Sequence, residues 1–190
     1  MSTALAVRVL FWVWLLAALY AGRSLALQNL APGGLQGIVL SLTAALVLAY
    51  RRIAAFRTWA DAIDLRVVVL LHLTRFVGFY FLFLYRRGEL PSAFAVPAGI
   101  GDIAVALFAL VVVFFPFAEA TRPRALYLWN VIGLVDILLV LFSAARIALT
   151  TPGELVALTR LPLSLLPTFL VPLIIASHLL VFARLARARA

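Results

Sequence analysis

Residues 66–86 read RVVVLLHLTRFVGFYFLFLYR, an arginine at each end and an apolar run between them. A hydrocarbon core about 30 Å thick is crossed by roughly 17–25 mostly apolar residues in a helix, so this stretch is long enough to span a bilayer. Working outward, five more runs qualify: 4–21, 34–50, 93–116, 125–147 and 163–184. With 66% hydrophobic and 12% charged residues, the chain is far more apolar than a soluble domain, whose apolar share is about 45–50%. The expected fold is an all-α integral membrane protein, a bundle of six transmembrane helices forming a single domain over residues 1–190. The gaps between runs are too short for a soluble domain.

Composition narrows the chemistry. There is no cysteine, which removes disulfides, Fe–S clusters, thiolate zinc sites and thiol catalysis. Two histidines, His72 and His178, are too few for a histidine-rich metal centre, so no metal site is expected. The net charge of +9 would suggest nucleic acid in a soluble protein, but here the basic residues cluster at the ends of apolar runs. There arginine snorkels to headgroups, so the partner expected is the lipid bilayer and not nucleic acid. The first run follows a weak charged region around Arg8 and precedes five further spans; it reads as a retained transmembrane helix rather than a cleaved leader.

Basic residues set the orientation. Arg8, Arg51, Arg52, Arg57, Arg66, Arg122, Arg124, Arg184, Arg187 and Arg189 fall on one side, and Arg23, Arg86, Arg87, Arg146 and Arg160 on the other. That excess places both termini in the cytoplasm of a bacterial cell whose inner membrane holds the protein. Tyr20, Tyr50, Tyr85, Tyr127 and Trp129 near span ends read as interfacial anchors. Residues 51–65, with Ile53, Phe56 and Trp59 at helical spacing, predict an interfacial helix after span two. Thr151-Pro152-Gly153-Glu154 reads as a capping box that starts a second one over 152–159, after span five. Gly37, Ser41 and Ala45, four residues apart, form a small-residue stripe suited to packing within the bundle or to self-association. No internal repeat is found.

The informative residues are the polar ones inside the spans: His72, Arg75, Asp102, Asn130, Asp136 and His178. A charge near the bilayer centre costs about 2.5–3.5 kcal/mol on insertion scales, so such groups face the bundle interior and have partners. His72 lies six residues beyond Arg66, Asn130 six beyond Arg124 and His178 six before Arg184. At 1.5 Å per residue the three share one layer, roughly 9 Å inside the boundary. Arg75 lies deeper and cannot shed its charge, so a carboxylate must balance it. Asp136 is the better partner by depth and Asp102 the alternative.

In span four, Pro97, Gly99 and Gly101 immediately precede Asp102. They predict either a backbone break, of the kind that lines substrate sites in transporters, or a helix that simply begins at Pro97.

Three functional readings follow. In the first, the six polar residues form a ligand-binding or proton-relay site that binds or moves a proton, an ion or a small solute. In the second, His72 and His178 are axial ligands of a b-type haem in an electron-transfer protein. In the third, the chain is a non-catalytic accessory subunit of a larger membrane complex, or assembles as a homo-oligomer. No catalytic residue is assigned: metalloprotease, phosphate-loop and nucleophile-elbow motifs are absent, and Ser177 and its neighbour His178 point about 100° apart on a helix.

Overall fold

The computed structural model describes residues 2–188; Met1 and Arg189, the latter among the basic residues counted above, lie outside them. Among the described residues there are helices and no strands, and six helices are long and apolar enough to cross a membrane: Thr3–Arg23, Gly34–Arg52, Leu65–Arg86, Ser92–Phe114, Arg122–Thr150 and Leu166–Arg187. Each contains most of one expected run.

Local chemistry sets the boundaries. Helix α1 (Thr3–Arg23) begins where the Ser2 hydroxyl accepts the Leu5 N–H at 3.3 Å, an N-cap bond. Gly33, at φ 84°, supplies the left-handed turn that launches α2 (Gly34–Arg52). Ile53 in extended conformation separates α2 from α3 (Ala54–Asp61), whose Asp61 accepts from the Tyr50 hydroxyl at 2.8 Å. Asp64 caps α4 (Leu65–Leu70) through Arg66 N–H at 2.8 Å. The third long helix is not uniform: α4 passes into a 3₁₀ segment at Leu71–Phe76 and returns to α geometry in α5 (Val77–Arg86).

Helix α6 runs unbroken from Ser92 to Phe114 with Pro97 inside it. Neither the break expected at Pro97, Gly99 and Gly101 nor a helix start at Pro97 is found. The helix begins one turn earlier, after Pro91, and Pro97 withholds only the bond to the first-turn carbonyl of Ala93. Helix α7 spans Arg122–Thr150. The capping box expected at Thr151 does not form: its hydroxyl turns back to the Ile147 carbonyl at 3.1 Å, extending the end of α7. The helix expected over 152–159 shrinks to a 3₁₀ turn at Val156–Thr159. A π-type turn at Leu166–Leu170, closed by Val171 N–H on the Leu166 carbonyl, leads into α8 (Val171–Arg187).

The chain forms two compact units. The first comprises residues 2–63 and 145–176. There Phe169 packs edge-on against Phe11 and Trp14, with centroids 4.9 and 4.8 Å away, and the Trp14 indole N–H donates to the Thr168 carbonyl at 2.8 Å. Gly37, Ser41 and Ala45 of α2 are all exposed, and no atom lies within 4 Å of where a Gly37 side chain would begin. Within the first unit, then, no described residue covers the stripe.

The second unit comprises residues 64–144 and 177–188. Its core is built from Phe81, Leu84, Phe94, Ala98, Val105, Ala106, Ala109 and Val181. Helices α5 and α6 touch backbone to backbone: a side chain on Gly78 would strike the Gly99 carbonyl, and one on Gly99 would lie 2.9 Å from the Gly78 carbonyl. The glycines of span four thus serve close packing, which in turn carries Asp102 toward the third helix.

Candidate functional site

All six polar residues singled out from the sequence lie in the second unit, and five of them are buried. Arg75 is the centre. It stands in the 3₁₀ segment, where residues three apart eclipse one another, so His72 and Arg75 project from one edge of the helix. Its guanidinium is 1% exposed and engages three groups on two other helices. Nε donates to Asp102 Oδ1 on α6 at 2.6 Å, Nη1 to the Gly133 carbonyl on α7 at 2.9 Å, and Nη2 to Asp136 Oδ2, also on α7. Sequence depth favoured one carboxylate; the planar fork of arginine takes both. Glycine is required beside them. A side chain at Gly101 would collide with Asp136 Oδ1, and at Gly133 it would meet the His178 ring at 2.6 Å.

The two imidazoles sit next to this cradle. Their ring centroids are 4.3 Å apart, and both are fully buried. Asn130 grips His178 twice: Nδ2 donates to the His178 carbonyl at 3.0 Å, which turns Oδ1 toward the imidazole Nδ1 at 2.8 Å. An amide oxygen only accepts, so Nδ1 carries a proton, and in the neutral ring Nε2 presents a lone pair. That Nε2 makes no hydrogen bond of ordinary geometry. His72 Nε2 meets the Ser177 hydroxyl at 3.0 Å, while its Nδ1 is unengaged.

Trp129 covers both rings, 4.7 Å from His72 and 5.4 Å from His178, and its indole N–H donates to the Val105 carbonyl at 3.1 Å. Read from the sequence as an interfacial anchor, Trp129 is instead wholly buried: a tryptophan whose N–H finds a carbonyl fits a core as well as an interface.

Sequence reasoning passed over Ser177, Gly133 and Trp129 as parts of this cluster. Signals for two of them were present. Ser177 lies seven residues before Arg184 and so in the layer of His72, and Gly133 stands midway between Asn130 and Asp136, three residues from each on one face of α7. The serine–histidine contact lacks what nucleophilic catalysis needs, since no acid orients His72 through Nδ1.

The haem expectation finds no support in this arrangement. Axial ligation places two imidazoles on opposite faces of a flat macrocycle, whereas these ring centroids are 4.3 Å apart. Among the described residues no group of three or more histidine, cysteine, aspartate or glutamate side chains is placed to hold a metal ion.

Residues 32–186 match the model of a family described as a domain of unknown function, DUF8737. The chain belongs to this family. The DUF8737 region takes in the second to sixth long helices and every residue of the polar cluster, and α1 precedes it. No curated protein and no solved structure matches the chain.

Proposed function

We propose that the chain is a multi-pass protein of the bacterial inner membrane that binds, or carries across, a proton, an ion or a small solute at the Arg75 cluster. In this reading the six apolar helices cross the bilayer, both termini are cytoplasmic, and α3 lies along the cytoplasmic surface. The arginine distribution supports the orientation. Helix α7, with 29 residues, is about 43 Å long, so its ends reach past the hydrocarbon core unless it tilts.

The observation that carries the functional reading is the Arg75 fork. A permanent cation, 1% exposed at mid-span, is held by two aspartates and a backbone carbonyl, and two buried imidazole nitrogens nearby make no hydrogen bond of ordinary geometry. Structural glue needs nothing so costly, because interhelical hydrogen bonds in membranes average about 0.6 kcal/mol. Unpartnered buried nitrogens add cost without adding adhesion. A working site accepts that cost. The reaction class proposed is binding or translocation, not catalysis.

The test is reconstitution. Purified protein in liposomes loaded with a pH-sensitive dye, under an imposed pH gradient or diffusion potential, is expected to collapse the gradient faster than protein-free liposomes. Arg75→Leu should remove the difference. Vesicles as tight as the protein-free control under proton, Na⁺, K⁺ and Cl⁻ gradients would overturn translocation. The purified protein is expected to show no Soret band; a band lost on His72→Ala and His178→Ala would restore the haem reading.

A further inference from the structure

The charges buried in the second unit do not balance. Arg75 contributes one fixed positive charge. The acids facing it are Asp102 from α6 and Asp136 from α7, and the remaining titratable groups against the cluster are His72 from the third long helix and His178 from α8. The His178 ring packs against Gly133, whose carbonyl accepts Arg75 Nη1. The other acids and arginines of this unit sit at helix ends and in connections. With both acids ionised and both imidazoles neutral, the cluster carries one uncompensated negative charge in an apolar interior.

We infer that the cluster holds one exchangeable proton, seated on Asp136, with His178 Nε2 as the interior acceptor that can receive it. This rests on the membrane-embedded reading above and names the ion of that site.

Several observations select Asp136 over Asp102. Asp102 is 4% exposed, and its Oδ1 accepts from Arg75 Nε at 2.6 Å. The Asp136 side chain is 20% exposed, against 5% for Asp102, and is the more accessible of the two. Around it on α7, Ile132, Val135 and Leu139 are exposed and apolar, so the accessible acid sits in an apolar surface where a charged carboxylate is disfavoured. Asp136 uses Oδ2 for Arg75, and its Oδ1 lies over Gly101, where only the missing side chain leaves it room. A proton on Oδ1 neutralises the acid and leaves Oδ2 free to accept from Nη2.

His178 is the independent indication. In the neutral ring the Asn130 contact leaves the lone pair on Nε2, which is fully buried and makes no ordinary hydrogen bond. It stands 2.9 Å from the position of a Gly133 side chain, against the residue whose carbonyl accepts Arg75 Nη1. Transfer breaks the O–H bond of Asp136 and forms an N–H bond on His178. Asp136 gains the negative charge and His178 the positive one, so the total is unchanged.

The experiment uses dicyclohexylcarbodiimide, an apolar reagent that adds to protonated carboxyls reached from lipid, on the full chain in membranes. Peptide mass analysis is paired with the infrared band of a protonated carboxyl. The expected result is one adduct per chain, on Asp136, lost in Asp136→Asn. The decisive variant is Asp102→Asn, which leaves Asp136 in place but removes the surplus negative charge. Labelling of Asp136 should fall at least tenfold and the infrared band should disappear. If Asp102→Asn fails to fold, Arg75→Gln supplies the converse, with two protonated carboxyls where the wild type has one.

Unchanged labelling of Asp102→Asn would show that exposure alone governs the reaction and would overturn the proposal. So would the absence of a protonated carboxyl in the wild type, or Na⁺ or K⁺ protection at constant pH, which would put a metal cation in the seat. The labelling pattern without any flux would leave the proton seat standing and remove translocation. Arg75-dependent flux without the pattern would do the reverse.

Discussion

A methyl group on Gly101 strikes the Asp136 carboxylate, and one on Gly133 lies 2.6 Å from the His178 ring and 3.1 Å from Val105 Cγ1. Gly101→Ala and Gly133→Ala should each destabilise the protein in detergent by about 1–3 kcal/mol, the ordinary cost of overpacking. Gly37→Ala, in open space on α2, should be neutral or gain up to about 1 kcal/mol from helix propensity. Thermal unfolding followed by tryptophan fluorescence measures all three, and equal losses would mean that the glycines act only on the backbone. Arg75 gives a second ordering. Arg75→Leu leaves both aspartates without their cation and should cost about 3–5 kcal/mol, while Asp136→Leu leaves Arg75 still paired with Asp102 and should cost less. Replacing Arg75, Asp102 and Asp136 together by leucine should recover much of the loss. A triple variant no more stable than Arg75→Leu would show that the three do not act as one unit. At this scale the sequence was most legible for residues that violate their surroundings: an arginine or aspartate amid twenty apolar neighbours stands out. Gly133 and Ser177 did not, since a carbonyl and a hydroxyl are ordinary in any helix.

Elements were legible where hydropathy alone decides them, and less so where geometry does. The run from 66 to 86 reads as one span, and one long apolar element is there, but nothing in its composition marks Leu71–Phe76 as 3₁₀. Pro97 misled because a proline signals a missing hydrogen bond without saying whether the helix has already begun; here it falls near the helix start, where little is lost. Of the glycines flagged with it, Gly99 marks where α5 and α6 meet, while Gly101 makes room for Asp136 of α7. That contact makes a prediction proper to elements. Gly78→Ala pushes against the Gly99 carbonyl and Asp102 Cβ, so it should separate α5 from α6 and weaken the Arg75–Asp102 bond. The expected outcome is a loss of about 1–3 kcal/mol together with faster hydrogen exchange in both helices, read by mass spectrometry. Exchange changed in α5 alone would sink the idea that the two move as a pair.

For the molecule as a whole, the excess of arginine on one side predicts where each loop lies. Arg57 and Glu154 are both exposed in the structure, one after α2 and the other after α7. Single cysteines at these positions, in a chain with no cysteine of its own, should react differently with an impermeant thiol reagent added to intact cells. Position 154 should label and position 57 should label only after lysis. The opposite pattern would invert the orientation without touching the fold. The site could be assembled from sequence only as far as depth counting goes. Counting put His72, Asn130 and His178 in one layer, but not which rings touch, because rotation of each helix about its axis leaves no trace in hydropathy.

The 3₁₀ segment at Leu71–Phe76 has a mechanical consequence. A 3₁₀ helix advances about 2.0 Å and 120° per residue, against 1.5 Å and 100° in an α-helix. Rewinding those six residues into α geometry would shorten the helix by about 3 Å and turn its two ends against each other by about 120°. His72 and Arg75 sit on that thread. The segment is a screw with two buried polar side chains mounted on it, so a small axial displacement at either end becomes a large angular one at the guanidinium.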